Sequence, residues 1–339
     1  MKRHAAVAIL CVVLVSTVVA QAQSSSDVPA GVLKLKPADF PNRSIELMVA
    51  NPAGGGMDVN GRLFAKHLDK YLGQPTVVNN RVGAGGFVGY QWFATQAPHD
   101  GSVIGFIGTS ILADSFLRAK GKWSYRDIEP IAFVNYEPTV WLTSSTGSYR
   151  DKSLEEIVRI AKEKPETVRV AIASNAMFES LAEQIELVSG AKFIRVPFGG
   201  DAPARQALLG NHIDVSFGFI GSARGDIESG TLKIIAVTGN TRLAEYKDVP
   251  TFNEILKQKT IHWLTLRYVG VPKGMAEDRK AFLTAAAQAA ATDPELTADF
   301  KRISALRDKP LDTPNAVAAE VDRLAEIERQ FYVETGRMK

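Results

Sequence analysis

The chain has 339 residues, of which 45% are hydrophobic and 23% are charged, a composition typical of a globular protein. Its 40 lysines and arginines nearly balance its 37 aspartates and glutamates, which excludes the strongly basic surface of a nucleic-acid-binding protein. A single cysteine excludes a disulfide framework. The length suits two domains of ordinary size.

The first 22 residues have the pattern of a secretory signal peptide. Lys2 and Arg3 precede an apolar run over residues 5–20, and Ala20-Gln21-Ala22 offers a cleavage site with small residues. The run is shorter than the about 20 residues that a membrane-spanning helix needs. Cys11 lies inside the run, so cleavage leaves a mature protein without cysteine. These features predict a signal peptide over residues 1–22 and export to a bacterial periplasm.

The next segment is predicted to be irregular, and a regular alternation of elements follows it. Residues 23–39, with several serines, prolines and a glycine, are interpreted as a flexible leader. Strand-like runs then alternate with helix-like runs in the order β-α-β-α-β, which predicts the start of a parallel, doubly wound sheet. The predicted strands are residues 44–49, 76–78 and 102–107, and the predicted helices begin at Asp58 and at about Val88.

A second α/β unit is predicted over the middle of the chain. Its first helix begins at the capping box of Ser153 and Glu156. The predicted strands are residues 168–173, 192–196, 213–217 and 232–237, with helices between them. The predicted elements of the remaining tail are helices 251–257, 276–291, 294–303 and 314–334, and one strand over 264–271.

The tail has too few strands for a third sheet, so it is predicted to complete the first unit. Lobe 1 is therefore predicted to contain residues 40–138 and 239–339, and lobe 2 residues 139–238. The predicted fold class is α/β, with two doubly wound lobes that form a hinged clamshell. Small ligands commonly bind in the cleft of such a clamshell.

The sequence features that indicate a binding site are two glycine-rich turns, at residues 52–58 (PAGGGMD) and 83–86 (GAGG). Each follows a predicted strand and opens a helix, where free backbone N–H groups and the helix dipole favour an anion. Because adjacent parallel strands end at one edge of a sheet, both turns face the same crevice. The pair is predicted to hold a carboxylate through backbone N–H groups.

Other uses of these turns fit the sequence poorly. The dinucleotide pattern G-x-G-x-x-G would need a third glycine where Val88 stands, and a phosphate loop would end in Gly-Lys-Ser/Thr. A G-x-S-x-G elbow is absent from the sequence, and His67, His99, His212 and His262 do not have metal-binding spacing. No catalytic residue, metal or cofactor is therefore predicted. An exported enzyme remains the alternative, with Asp58, Glu179 and Asp201 as the candidate acids or bases.

The opening block, residues 40–58, resembles the periplasmic solute receptors of tripartite tricarboxylate transporters, the Bug family. The blocks that continue this resemblance are residues 72–75, 79–86, 98–101, 107–109, 196–204, 227–233 and 248–251. The resemblance covers essentially the whole mature chain. It implies a periplasmic-binding-protein clamshell of the Venus-flytrap type. It also implies binding of a small di-, tri- or aromatic carboxylate, delivery to a membrane permease, and a monomer.

The resemblance also implies which residues contact the ligand in lobe 1. The first turn supplies Ala53, Gly54, Gly55, Met57 and Asp58, and the second turn supplies Gly83, Ala84, Gly85 and Gly86. Thr109, after the third strand, adds a hydroxyl. Asp58 either helps to shape the site or, as an acid in the first turn of a helix, serves as a plain cap, and the sequence leaves both roles open.

Lobe 2 departs from the family pattern at the positions that read the rest of the ligand. Ser174 and Asn175 are expected to donate hydrogen bonds, and Phe178 makes the turn more apolar. Gly199 and Asp201 follow the family's Pro-aromatic motif, where Asp201 either contacts the ligand or caps a helix. Arg267 pairs with either a distal ligand carboxylate or a structural acid. Signalling by docking to a sensor protein remains an open third reading.

Overall fold

The computed structural model describes residues 28–173, 176–258, 263–307 and 309–338. The strands are β1 (Ile45–Val49), β2 (Thr76–Asn80), β3 (Val103–Gly108), β4 (Ile128–Pro138), β5 (Val140–Ser144), β6 (Arg169–Ala173), β7 (Ile194–Phe198), β8 (Val215–Gly218), β9 (Leu232–Val237) and β10 (Leu264–Pro272). The helices are α1 (Ala30–Leu35), α2 (Gly56–Leu72), α3 (Phe87–Gln96), α4 (Ser110–Leu117), α5 (Leu154–Glu163), α6 (Ala176–Ser189), α7 (Asp201–Leu209), α8 (Ile220–Glu228), α9 (Phe252–Leu256), α10 (Glu277–Ala291), α11 (Pro294–Arg302) and α12 (Pro314–Glu334). Within these ranges, no helix is long and apolar enough to cross a membrane.

The strands form two five-stranded sheets of the same design, which confirms the predicted two-lobed α/β fold. The first sheet has the order β2-β1-β3-β10-β4 and the second the order β7-β6-β8-β5-β9. In each sheet the first three strands are parallel, and the fourth is antiparallel to its neighbours. The antiparallel strands β10 and β5 were not part of the predicted parallel sheets. Each of them follows a passage of the chain from one lobe to the other.

Helices cover both faces of each sheet and make four apolar clusters. In lobe 1, α2 and α10 pack on one face of the sheet through Phe64 and Phe282, and α3, α4 and α12 cover the other face. In lobe 2, α5, α6 and α9 cover one face, and α7 and α8 cover the other. Burial on both faces explains why the strands are apolar runs rather than alternating ones.

Glycines flank α2 at both of its ends. Gly55 is the residue before the helix and has an extended backbone, and Gly73 ends the helix with a φ of 69°. A left-handed residue at this position is the usual helix stop, and glycine adopts it without steric cost. The helix is therefore fixed in length between the turn that carries the predicted site and the strand β2.

The chain returns to the first sheet later than the predicted boundary at residue 239. Thr251 forms a β-bridge with Val237, and Phe252 is buried against Trp141 with ring centroids 5.4 Å apart. Lobe 2 therefore extends through α9 to Leu256, and the first sheet resumes at Leu264. The predicted boundary was wrong because it was placed where β9 ends, while α9 is held to lobe 2 by packing.

The predicted flexible leader is also partly wrong. Residues 28–39 are described, and α1 lies within them. Val32 of α1 is buried in the apolar cluster beneath α10, so α1 packs on lobe 1. Residues 1–27, with the predicted signal peptide, lie outside the described residues.

The last helix, α12, joins the two lobes on the side away from α2. It packs on β4 of lobe 1, while Tyr332 near its end lies 3.2 Å from the Ser180 hydroxyl on α6 of lobe 2. Arg337, just beyond the helix, pairs with Glu183 of α6 at 2.9 Å. These contacts tie α12 to α6 of lobe 2.

The burial of Glu328 in α12 predicts an unusual dependence of stability on pH. Burial raises the pKa of Glu328 to about 8, and the hydroxyl of Tyr332, 3.2 Å away, opposes the shift only partly. The folded state favours the protonated form of Glu328. Its contribution to the free energy of unfolding is therefore fully present below the ordinary pKa of glutamate and is lost as the pH rises toward 8. Glu328→Gln is therefore expected to raise the free energy of unfolding by about 1–3 kcal/mol at pH 8.5 and by much less at pH 5.

Urea unfolding at the two pH values measures this effect. Glu326→Gln, on the exposed face of the same helix, is the control and is expected to show no such gain at pH 8.5. An equal gain for Glu328→Gln at both pH values would contradict the assignment.

Candidate functional site

The two glycine turns lie side by side at one edge of the first sheet. β1 and β2 pair in parallel, with Val49 opposite Asn80, so the turns that follow them are neighbours. The amide nitrogen Nδ2 of Asn51, after β1, lies 3.6 Å from the Cβ position of Gly86 in the second turn. The structure thus brings together the two turns that the sequence placed on adjacent strands.

All four residues of the second turn have a positive φ. The φ angles are 149° at Gly83, 45° at Ala84, 67° at Gly85 and 113° at Gly86. A left-handed φ is uncommon for alanine, so the surrounding structure must hold Ala84 there. Turns with left-handed residues can gather successive N–H groups into a concave anion site.

The first turn is held in place by Asp58, which is almost fully buried. Its Oδ2 accepts a hydrogen bond from the Gly54 N–H at 2.9 Å and from Arg62 Nε at 3.0 Å. Asn80 Nδ2 donates to Oδ1 at 2.9 Å. Burial favours the neutral acid, but the three hydrogen bonds outweigh burial and hold the pKa of Asp58 below its ordinary value. Asp58 therefore shapes the turn, one of the two roles that the sequence left open.

A carboxylate of lobe 2 lies on the first turn of lobe 1. Asp201, the first residue of α7, accepts a hydrogen bond from the Gly56 N–H at 3.0 Å and from the Ser222 hydroxyl at 2.8 Å. Gly56 is the first residue of α2, so the negative charge sits at the positive end of that helix. A side chain at Gly55 would overlap the Asp201 carboxylate, which explains the need for glycine there.

A carboxylate of lobe 1 makes the equivalent contact with a helix N-terminus of lobe 2. Glu137, near the end of β4, is fully buried, and its Oε1 accepts a hydrogen bond from the Gly221 N–H at 3.2 Å. Gly221 lies in the first turn of α8. Each lobe thus places one carboxylate at a helix N-terminus of the other lobe, and we call Asp201 and Glu137 the crossed carboxylates.

Arg267 is fully buried beside Glu137, with Nη1 2.6 Å from Glu137 Oε2. Its Nε lies 3.3 Å from the Met57 sulfur in the first turn, and its guanidinium is 4.9 Å from the centre of the Phe219 ring of lobe 2. Burial raises the pKa of Glu137, and the neighbouring Arg267 opposes this shift. Arg267 therefore pairs with a structural acid, as one of its two predicted roles, and it lies where the lobes meet.

Two buried polar groups near the turns are left without a hydrogen-bond partner among the described residues. They are Nη2 of Arg267 and the side-chain oxygen Oδ1 of Asn51. An unsatisfied buried donor or acceptor costs about 1–3 kcal/mol, so such groups call for a partner. Asn51 was not among the predicted site residues. Its place directly before the first turn was visible in the sequence, but its burial and its contact with the second turn were not.

The remaining predicted site residues occupy different environments. The Thr109 hydroxyl accepts a hydrogen bond from the Leu266 N–H at 3.3 Å, which joins β3 to β10. Phe178 is buried and stacked on Phe217, with ring centroids 5.8 Å apart, so it is a core residue of lobe 2. Gly199 lies beside Asp201 in the turn that meets lobe 1. Ser174 and Asn175 lie outside the described residues. Contact with a ligand stays a prediction for all these positions.

Comparison with known proteins identifies the family. The profile described as "Tripartite tricarboxylate transporter family receptor" matches residues 61–326. The chain belongs to this family. BugT from Bordetella pertussis (strain Tohama I) is 31% identical over 231 residues, which cover 67% of this receptor and 70% of BugT.

Two solved structures share the fold of the receptor. The periplasmic binding protein BugD is 25% identical, with a TM-score of 0.81, and the match covers 88% of the receptor and all of BugD. MatC from Rhodopseudomonas palustris, solved with bound malate, is 25% identical, with a TM-score of 0.77, and the match covers 86% and 98% of the two chains. The resemblance found in the sequence is therefore confirmed, and with it a periplasmic-binding-protein fold.

The pair of Arg267 and Glu137 yields a prediction for stability. Arg267→Met is expected to lower the free energy of unfolding by about 3–5 kcal/mol, because it leaves the Glu137 carboxylate buried without a counter-ion. Arg267→Met combined with Glu137→Gln is expected to recover part of this loss. Urea unfolding at pH 7 measures both variants. A double variant that loses the sum of the two single losses would show that the charges are not coupled.

The contact between the lobes yields a second prediction. A Cβ at Gly200 would lie 2.8 Å from Cδ of Pro52 across the cleft, while a Cβ at Gly199 would have no atom within 4 Å. Gly200→Ala is therefore expected to destabilise the closed arrangement by about 1–3 kcal/mol and to increase the radius of gyration of the ligand-free receptor. Small-angle X-ray scattering measures this change, with Gly199→Ala as the control. Equal scattering from all three proteins would contradict a close contact at Gly200.

Proposed function

We propose that the receptor captures a small organic carboxylate between its lobes in the periplasm and delivers it to the membrane permease of a tripartite tricarboxylate-type transporter. The family and the malate-bound structure of MatC support a carboxylate ligand. Removal of residues 1–22 would release the receptor after export. It would act as a single chain that docks on the permease subunits.

The observation that carries the proposal is the carboxylate of Asp201 on the first glycine turn. The Gly56 N–H and the N-terminus of α2 together already hold one carboxylate, at 3.0 Å. The same geometry suits the carboxylate of a ligand, because a backbone N–H and a helix dipole do not distinguish a side chain from a free acid. This supports a carboxylate site at the first turn that needs no salt bridge.

The second turn offers a place for a ligand carboxylate even while Asp201 stays on the first. The backbone of residues 83–85 would supply N–H donors, since the Gly86 N–H already donates to the Gly83 carbonyl at 3.0 Å. Asn51 between the turns would gain a partner for its Oδ1. A second carboxylate or a polar group of the ligand would reach Nη2 of Arg267. In this arrangement the ligand completes a polar network that the protein leaves partly unsatisfied.

The crossed carboxylates suggest how capture is coupled to closure. They stabilise contact between the lobes without a ligand, by about 0.3–2 kcal/mol for each charge at a helix N-terminus. Such a small preference lets the lobes open for entry, and a bound acid then adds its own contacts to the closed form. Closure removes water and strengthens the hydrogen bonds to the acid.

A thermal-shift screen followed by calorimetric titration tests the proposal. Malate, succinate, citrate, benzoate and acidic amino acids are the probes, and at least one is expected to raise the melting temperature while being recovered chemically unchanged. Conversion of the best ligand to a product would favour the exported enzyme. No binding by any acid would contradict a carboxylate receptor.

A matched pair of variants tests the role of the second turn. Gly85 has a φ of 67°, which both Asn and Asp tolerate better than most residues. Gly85→Asp is expected to abolish binding, because like charges about 5 Å apart near a protein surface repel by about 3 kcal/mol. Gly85→Asn has nearly the same size without the charge and is expected to bind more than tenfold tighter than Gly85→Asp. Equal affinities of the two variants, measured by titration, would place the carboxylate elsewhere.

A further inference from the structure

A cavity of about 260 Å³ lies where α12, the start of β10 and α6 meet. Its apolar walls are Leu324, Ile327 and Phe331 of α12, Trp263 and Leu264 beside and within β10, and Met177 of α6. The rings of Trp263 and Phe331 meet edge to face, with centroids 5.7 Å apart and an interplanar angle of 83°. We call this space the tail cavity. Its walls come from both lobes, because α6 belongs to lobe 2 and α12 packs on lobe 1.

The polar side chains around the tail cavity have partners within the protein. Glu328 of α12 also lines the cavity, and its carboxyl group accepts a hydrogen bond from the Tyr332 hydroxyl at 3.2 Å. Trp263 Nε1 donates to Gln184 Oε1 at 2.6 Å. Lys309 and Arg323 both bind Glu320, each at 2.7 Å. These polar groups are already paired, so the cavity offers mainly apolar surface to a guest. A charged or strongly hydrated group would lose its water there without compensation.

The tail cavity adjoins the proposed carboxylate site at the carboxyl end of β3. Thr109 lines the cavity and directly follows Gly108, whose Cβ position lies 2.9 Å from the Met57 sulfur of the first turn. Tyr90, on the helix that follows the second turn, accepts a hydrogen bond from the Gly108 N–H at 3.4 Å. The helices that follow both turns thus converge on the residue next to the cavity wall.

We infer that the tail cavity receives the apolar end of the transported acid, so that the preferred ligands are carboxylates with a phenyl-sized tail rather than short dicarboxylates. This inference rests on the proposed carboxylate site. The volume fits such a tail, since an engineered apolar cavity of about 150 Å³ already binds benzene. An aromatic pair, two leucines, an isoleucine and a methionine give the tail an apolar surround, and methionine adapts readily to an aromatic guest.

The position of the cavity gives the tail a second effect. A guest held between Met177 of lobe 2 and Leu324 of α12 contacts both lobes at once. The tail therefore favours the closed receptor as well as adding affinity. Acids that lack a tail would bind at the glycine turns alone and would close the lobes less completely.

Matched pairs of acids test the inference. Phenylacetate, 3-phenylpropionate, 4-phenylbutyrate and 5-phenylvalerate are each compared with the same acid without the ring, by calorimetric titration of the mature receptor. At the tail length that reaches the cavity, the phenyl acid is expected to bind at least tenfold tighter than its partner. A ratio near one at every length would overturn the inference.

Substitutions in α12 locate the effect. Leu324→Trp fills the cavity and is expected to remove the advantage of the phenyl acids while leaving the affinity for the ring-free acids within about twofold. Val333→Trp adds the same side chain at an exposed position of the same helix and is expected to change neither affinity. Phe331→Ala enlarges the cavity and is expected to shift the preference toward a bulkier naphthyl tail. If Leu324→Trp is folded and stable and the phenyl acids keep their advantage in it, the inference is overturned.

The ring-free acids separate failure of this inference from failure of the proposed function. If they bind and the ring gives no advantage, the carboxylate site stands and the tail cavity has no role in binding. If no carboxylate of either set binds, the proposed function fails, and this inference fails with it.

Discussion

The exchange of carboxylates between the lobes is the interaction on which the arrangement of the site depends. Asp201 of lobe 2 binds the first N–H of α2, and Glu137 of lobe 1 binds an N–H of α8. Both contacts use a helix N-terminus, where the helix dipole favours a negative charge. They bring the first glycine turn against lobe 2 and leave no room for side chains at Gly55 and Gly200.

The buried charge of Glu137 in turn requires Arg267, and this requirement places a cation at the junction of the lobes. Nη1 of Arg267 is committed to Glu137, while Nη2 has no partner among the described residues. One side chain thus combines the ion pair at the junction with an unsatisfied buried donor. A buried ion pair of this kind contributes little net stability, because the cost of desolvating the two charges offsets their attraction.

The two lobes have the same strand order, and in both of them the parallel strands end in turns at one edge of the sheet. In each sheet three parallel strands end in turns at one edge, and the antiparallel fourth strand comes from a segment that has just crossed between lobes. The helix α12 adds a third connection, through Tyr332 and Arg337 to α6. The end of the chain is therefore bonded to α6 of lobe 2, while the rest of α12 packs on lobe 1.

The sequence by itself determined the two-lobed α/β fold, the family and the adjacency of the glycine turns, because strand, turn and helix follow one another within about 40 residues and parallel neighbours have a fixed hand. It did not determine what the turns touch. The partners Gly56 and Asp201 are 145 residues apart, and α9 stays on lobe 2 through the burial of Phe252. Contacts of this kind depend on how two folded lobes pack, which no local pattern encodes. Tertiary structure alone placed Asn51 and Arg267 in buried positions with unsatisfied atoms, and it alone formed the tail cavity from three separate segments.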